Sequence, residues 1–178
     1  MLAKHSMKDS RLSRWGILIL VASIQAANYY FYDAISPLKR TLETEFGFTS
    51  SDFGLFVSFY SIPNTFLLMA VFGGIILDRL GIRRTGILFI GLMALGGFIT
   101  AYGASTFYTS GGPFYEVMGS FWKRYSPELK MMLLGRFFFG LGAETSIVVI
   151  SKIIVKGLIG KKLSTASGTK NDSTRLGS

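Results

Sequence analysis

Cysteine is absent from this 178-residue chain, so neither a disulfide framework nor a thiolate metal site is available to it. The single histidine, His5, lies in a polar N-terminal arm and reads as a solvated side chain, not a ligand. Acidic residues are scarce, with 10 Asp and Glu against 19 Lys and Arg. No nucleophile stands paired with a base, no metal-ligating cluster appears, and no phosphate-binding loop is present. The sequence is therefore read as no enzyme, with no cofactor and no metal. What it has instead is apolar: 49% of residues are hydrophobic, with 21 glycines, 16 phenylalanines and 8 tyrosines. Glycine and aromatic residues in long charge-poor runs point to membrane helices.

A net charge of +9 could indicate nucleic acid as a partner, but the placement of the cations argues against it. Lys4, Lys8, Arg11 and Arg14 precede the first apolar run. Arg79, Arg83 and Arg84 lie in a central turn, and Lys156, Lys161, Lys162, Lys170 and Arg175 follow the last run. The two other connections carry Lys39, Arg40, Lys123, Arg124 and Lys130, balanced by Glu43, Glu45, Asp52, Glu116 and Glu128. Basic and neutral connections thus alternate. That is the positive-inside pattern of a multi-pass integral membrane protein with a cytoplasmic N-terminus, so the lipid bilayer is the partner and nucleic acid is not.

Four membrane helices follow from the apolar runs, at about 15–37, 53–77, 86–107 and 130–155, each near the ~20 residues needed to span hydrocarbon. Residues 1–14 form a cytoplasmic arm. The run after it is too long for a signal peptide and lacks a small-residue cleavage site, so it is read as a retained first helix. Gln25, Asn28, Tyr29, Tyr32 and Ser36 share one face of that helix, with Asp33 at its border. The face reads either as an interhelical hydrogen-bond seam or, preferred here, as the wall of a polar cavity. Ser51 or Asp52 reads as the N-cap of helix 2. Pro63 should kink that helix, with Tyr60, Ser61 and Asn64 at the bend. These three fit an ordinary bent helix and a substrate contact equally well.

Helix 3 holds no ionisable residue. Its Ala94, Gly97, Ala101 and Ala104 read as a packing stripe. Gly111-Gly112-Pro113 reads as a turn, and Phe121, Trp122 and Tyr125 as an interfacial group, in a short helix lying flat on the membrane. Helix 4 carries Arg136, Glu144 and Lys152 among apolar neighbours. Lys152 is near enough to the inner end to snorkel. Arg136 and Asp33 both fall in the outer third of their helices, and a buried charge needs a partner, so an Asp33–Arg136 ion pair is expected. Glu144 is left near the midplane without a partner from helices 1 to 3, which marks it as a functional residue. Residues 164–178 turn polar and read as a tail or as the stub of a fifth helix.

Two motifs carry a resemblance. Gly74-Ile75-Ile76-Leu77-Asp78-Arg79-Leu80-Gly81-Ile82-Arg83-Arg84 resembles the loop between helices 2 and 3 of major facilitator superfamily transporters. Arg136 through Gly142 resembles that superfamily's R-x-x-x-G-x-G motif in helix 4. The segments Tyr30-Phe31-Tyr32-Asp33, Tyr60-Ser61-Ile62-Pro63-Asn64, Gly142-Ala143-Glu144 and Gly160-Lys161-Lys162-Leu163 narrow the resemblance to the branch of lysosomal dipeptide transporters and their bacterial relatives. The closing Arg175-Leu176-Gly177-Ser178 is similar to the opening of that branch's fifth helix.

The resemblance implies an all-α membrane protein, the N-terminal four-helix part of that fold. It also implies transport of dipeptides or a similar zwitterion by alternating access. Glu144 would take the peptide's amino group and Arg175 its carboxylate, with Asn28, Tyr29 and Tyr32 lining the path. Gly74, Asp78, Arg79, Gly81, Arg83 and Arg84 would act in gating. The setting would be the inner membrane of a bacterium or the lysosomal membrane of a eukaryote. The superfamily's fold needs about twelve helices, so the remaining C-terminal helices of the same transporter are an implied partner, and the chain alone is expected to be inactive. A second reading keeps only the helices, as a small membrane scaffold associating through glycine faces; such a scaffold has no need of a lone midplane carboxylate.

Overall fold

The computed structural model describes residues 11–155, which fold as helices and connecting turns without a strand among them. The chain divides into two compact units, one of Phe31–Val149 and one of Met1–Tyr30 with Ile150–Ser178. In the smaller unit the described residues are the first part of α1 (Arg11–Asp33) and the end of the last helix. Helix α1 begins four residues before the apolar run, so the basic end of the arm is already helical. It stops at Asp33 instead of Pro37, because Pro37 has no N–H to donate to the Asp33 carbonyl four residues back. Ser36–Leu38 close the corner as a 3-10 turn with Pro37 in its first positions.

In the larger unit the connection between helices 1 and 2 is itself helical. Helix α2 (Lys39–Phe46) ends on Gly47, whose left-handed φ of 65° lets Phe48 donate its N–H back to the Leu42 carbonyl. Leu42 and Phe48 are both buried beneath it. Helix α3 (Ser50–Ser58) is capped by Thr49, two or three residues before the cap read from sequence. Thr49 Oγ1 accepts from the Asp52 N–H, and Asp52 Oδ2 accepts from the Thr49 N–H at 2.9 Å, a reciprocal box that satisfies two helix-end donors. Ser50 donates to Glu43 at 3.1 Å and ties the two helices together. Phe56, Leu129 and Met132 are among the buried residues that join this region to helix 4 in one core.

The kink expected at Pro63 takes the form of a 3-10 interruption just before it. A 3-10 turn at Phe59–Ser61 precedes α4 (Ile62–Leu67), so proline falls in a first helical turn, where its missing N–H costs least. Leu68 then adopts a left-handed φ of 47° before α5 (Met69–Gly103). Continuous α5 would run to about 52 Å at ~1.5 Å per residue, well beyond a hydrocarbon core. It is divided by Gly81, at φ 79° and ψ 166°, a region open essentially to glycine alone. Helix 2 therefore ends and helix 3 begins at the predicted basic turn.

Two short helices follow, α6 (Thr106–Thr109) and α7 (Tyr115–Ser120), and the long α8 (Pro127–Ile154) completes the described chain. The aromatic group at Phe121, Trp122 and Tyr125 lies after the short helix, not in it. Lys130, nearly buried, donates from Nζ to the carbonyls of Met118 and Phe121 and holds the end of α7 against α8. Tyr108 is fully buried and donates to the Pro127 carbonyl at 3.3 Å. Burial, then the charge of Glu128, pushes its hydroxyl up to about 12.

Helix 3 packs on α8 through a face adjacent to the predicted small-residue stripe. A Cβ on Gly96 would overlap the backbone of Phe139 and Gly135, and one on Gly135 would overlap Thr100. Of that stripe, Ala94 and Ala101 are exposed, Gly97 meets the Phe31 ring, and Ala104 packs against the core that holds Leu129 and Met132 of the last helix. Glycine sets the close approach because it alone lets two backbones touch.

Candidate functional site

Helix α8 presents Arg136, Gly140 and Glu144 at intervals of four residues, hence on one face. Arg136 has no exposed surface. Its guanidinium carbon lies 5.2 Å from the Phe56 ring centre, 5.5 Å from Tyr32, 5.8 Å from Tyr60 and 5.9 Å from Phe139. The rings also pack on one another, Tyr32 on Tyr60 at 5.0 Å and Phe31 stacked on Phe139 at 4.7 Å. The cation is thus enclosed by four π-faces. A desolvated cation–π contact is worth ~2 kcal/mol, which offsets part of the cost of burying the charge.

The expected Asp33–Arg136 ion pair does not form. Nε, Nη1 and Nη2 of Arg136 are buried without a hydrogen-bond partner, and Asp33 is exposed. Asp33 is the last residue of α1 and stands ~100° round the helix from Tyr32, whose ring occupies the place beside the guanidinium. A buried charge does need a partner, and here the partner is aromatic. Phe56 and Phe139 were not anticipated. Their signal was available as spacing: Phe56 stands four residues from Tyr60, and Phe139 three from Arg136, so each pair shares a helix face.

Glu144 is half-buried, two helical turns along from Arg136. Gly140 lies midway, and a Cβ there would overlap the Tyr60 carbonyl oxygen. The glycine of the R-x-x-x-G pattern therefore admits the broken segment of helix 2 directly against α8. That approach sets the Tyr60 ring beside the Arg136 guanidinium.

The remaining predicted residues divide. Tyr32 is brought into the Arg136 enclosure. Asn28 is buried with its Oδ1 unpartnered, and Tyr29 is exposed; both belong to the smaller unit. Asp78, Arg79, Arg83 and Arg84 are exposed around the Gly81 bend, with Gly74 half-buried on the helix before it. Arg175 lies outside the described residues, as do residues 160–163. Among the described residues, no group of His, Cys, Asp or Glu is placed to hold a metal.

Met69–Gly103 and Pro127–Ile154 are each long and apolar enough to cross a bilayer. Large apolar side chains such as Phe66 and Phe98 stand on the outside, as in a helical protein whose solvent is lipid. The particular family follows from the sequence pattern. The chain belongs to the Major Facilitator Superfamily, whose pattern matches residues 20–171. It is therefore a membrane protein of a family of solute transporters, which take small-molecule substrates and are not enzymes.

The chain is similar to the lysosomal dipeptide transporter MFSD1 of Homo sapiens, 28% identical over 171 residues, which is 95% of this chain and 32% of the relative. Against the Bos taurus protein of the same name it is 28% identical over 163 residues, 91% of this chain and 30% of the relative. The Danio rerio protein is 28% identical over 168 residues, 94% and 32%. The chain thus spans about a third of the length of the curated relatives it matches. No solved structure matches it.

Proposed function

We propose that residues 15–163 form four helices of the N-terminal bundle of a transporter for dipeptides or a similar zwitterion, working by alternating access. The observation that carries the reading is Glu144, a half-buried carboxylate deep in an apolar helix. A carboxylate kept at depth is costly unless it is used, and an ammonium group is its natural counterpart. Glu144 binds the amino end of the solute. Arg175 binds the carboxylate end, for which a planar guanidinium is well suited. Asn28, Tyr29 and Tyr32 line the path.

Residues 1–14 are a cytoplasmic arm, and residues 164–178 lead toward a fifth helix. The basic turn at Gly74, Asp78, Arg79, Gly81, Arg83 and Arg84 gates the cytoplasmic side, bending at Gly81. A lysosomal membrane is the setting in a eukaryote. Rocking requires a second bundle, so transport needs further helices of the same transporter alongside these.

The test is uptake of alanyl-alanine by proteoliposomes carrying the whole protein. Glu144→Gln should abolish uptake and binding alike, because a neutral amide forms no ion pair with the ammonium. Unchanged uptake would sink the reading and leave the scaffold alternative, which the glycine contacts between helix 3 and α8 would serve equally well.

A further inference from the structure

We propose that the connection between helix 3 and α8 is a docking site for anionic phospholipid headgroups, built from Phe114, Val117, Phe121 and Trp122 with Lys123 and Arg124 beside them. A Cβ on Gly103, the last residue of α5, would meet Met131 and Met132 near the start of α8. The two ends of the connection therefore sit side by side, at the face of the membrane away from the Gly81 bend. The connection is folded tightly onto that face. The Tyr102 hydroxyl donates to the Pro113 carbonyl at 3.1 Å, and the buried Tyr108 ring meets Tyr102 and Tyr115 edge-on at 5.2 and 5.3 Å. Lys130 holds the carbonyls of Met118 and Phe121.

With its tyrosines turned in, the connection presents large apolar side chains outward. Val117 stands ~200° round α7 from Tyr115 and is exposed. Phe114 and Phe121, the residues that flank α7, are exposed as well. Phe114 and Trp122 adopt left-handed φ values of 70° and 44°, a conformation that bulky residues seldom take and that costs energy to hold. The fold thus spends strain on two rings that face away from its own core. They are 64% and 71% exposed, close to the 75% of Phe98 on the apolar surface of helix 3. Phe98 lies ~8 Å along the helix axis from Gly103, so the patch continues that lipid-facing surface to the depth of the headgroups, where aromatic rings are favoured. Lys123 and Arg124 follow Trp122 directly and are both exposed, whereas Tyr125 packs on the core with Leu129. Glu116 points ~100° round α7 from Val117 and leaves the apolar side without a carboxylate. Two adjacent cations beside inserted rings are the complement of a lipid phosphate.

The test reads Trp122 in the whole protein, reconstituted in phosphatidylcholine vesicles with or without phosphatidylglycerol. The difference in emission between the protein and Trp122→Phe isolates this one indole. Lipids brominated high on the acyl chain should quench it, and acrylamide in the water should quench it weakly. Brominated phosphatidylglycerol should be the better quencher than brominated phosphatidylcholine by about fivefold for each cation engaged. Lys123→Gln with Arg124→Gln should bring that ratio to one while the bromolipid quenching persists. Free quenching by acrylamide with none by bromolipid would put the loop in water and overturn the proposal. Protection from both quenchers would mean that a protein surface or a second copy covers the patch, which overturns it equally. A ratio of one in the unsubstituted protein, or a ratio unmoved by the double substitution, would remove the anionic headgroup as the ligand.

Discussion

Gly140→Ala is the sharpest perturbation of the packing that creates the site. Alanine is the better helix former, and in a helix interior it gains ~0.5–1 kcal/mol over glycine. At Gly140 the added Cβ overlaps the Tyr60 carbonyl oxygen, with Pro63 Cγ a further 3.3 Å neighbour. Both belong to backbone or a ring, so neither can swing aside as a flexible side chain would. Overpacking of this kind costs ~1–3 kcal/mol, and the upper end applies where backbone must shift. The net loss is then ~2 kcal/mol, or about 4–8 °C in Tm for a chain of this size. Gly91→Ala is the matched control, in α5 with nothing within 4 Å of the new Cβ, and should keep or slightly raise Tm. Both are read by thermal denaturation in detergent, followed by size-exclusion recovery. Equal Tm values for the two variants would refute the argument that helix 2 rests on α8 at this glycine.

Other substitutions separate the interactions. Asp33→Asn should change stability by less than ~0.5 kcal/mol, because Asp33 is exposed and Arg136 does not contact it; a large loss in thermal melts would revive the ion pair. Gly81→Ala should cost ~1–3 kcal/mol in the same melts, since φ 79° with ψ 166° is strained for any side chain, while Gly74→Ala, with open space at its Cβ, should not. Tyr108, held neutral by burial up to about 12, stabilises the fold fully below pH 10 and loses that contribution as pH rises toward 12. Tyrosinate absorbance should therefore show a late-titrating group that Tyr108→Phe removes, and melting between those pH values should flatten in that variant.

The four apolar runs and the basic turn were legible in sequence, because length and charge alternation are properties of the chain itself. Helix ends shifted where local chemistry intervened: Pro37 cut α1 short, and Thr49 replaced Ser51 as the cap because it alone could pair reciprocally with Asp52. The Arg136 environment was only half legible. Its depth followed from helix position, whereas its four rings come from α1, α3, the 3-10 turn and α8, and no single periodicity joins all four. The choice between the stripe at Ala94, Gly97 and Ala101 and the face at Gly96, Thr100 and Gly103 was equally beyond sequence. Both have small residues at helical spacing, and only the direction of approach of α8 separates them.

The sequence holds no cysteine, so Glu144→Cys in the whole protein creates a single addressable thiol within these 178 residues. Its rate of modification by a membrane-impermeant methanethiosulfonate measures directly whether position 144 faces a water-filled path. The account predicts modification in lipid vesicles at a rate far above that of Phe98→Cys, a position on the exposed apolar surface. A thiol at 144 that stays as unreactive as one at 98 would contradict it.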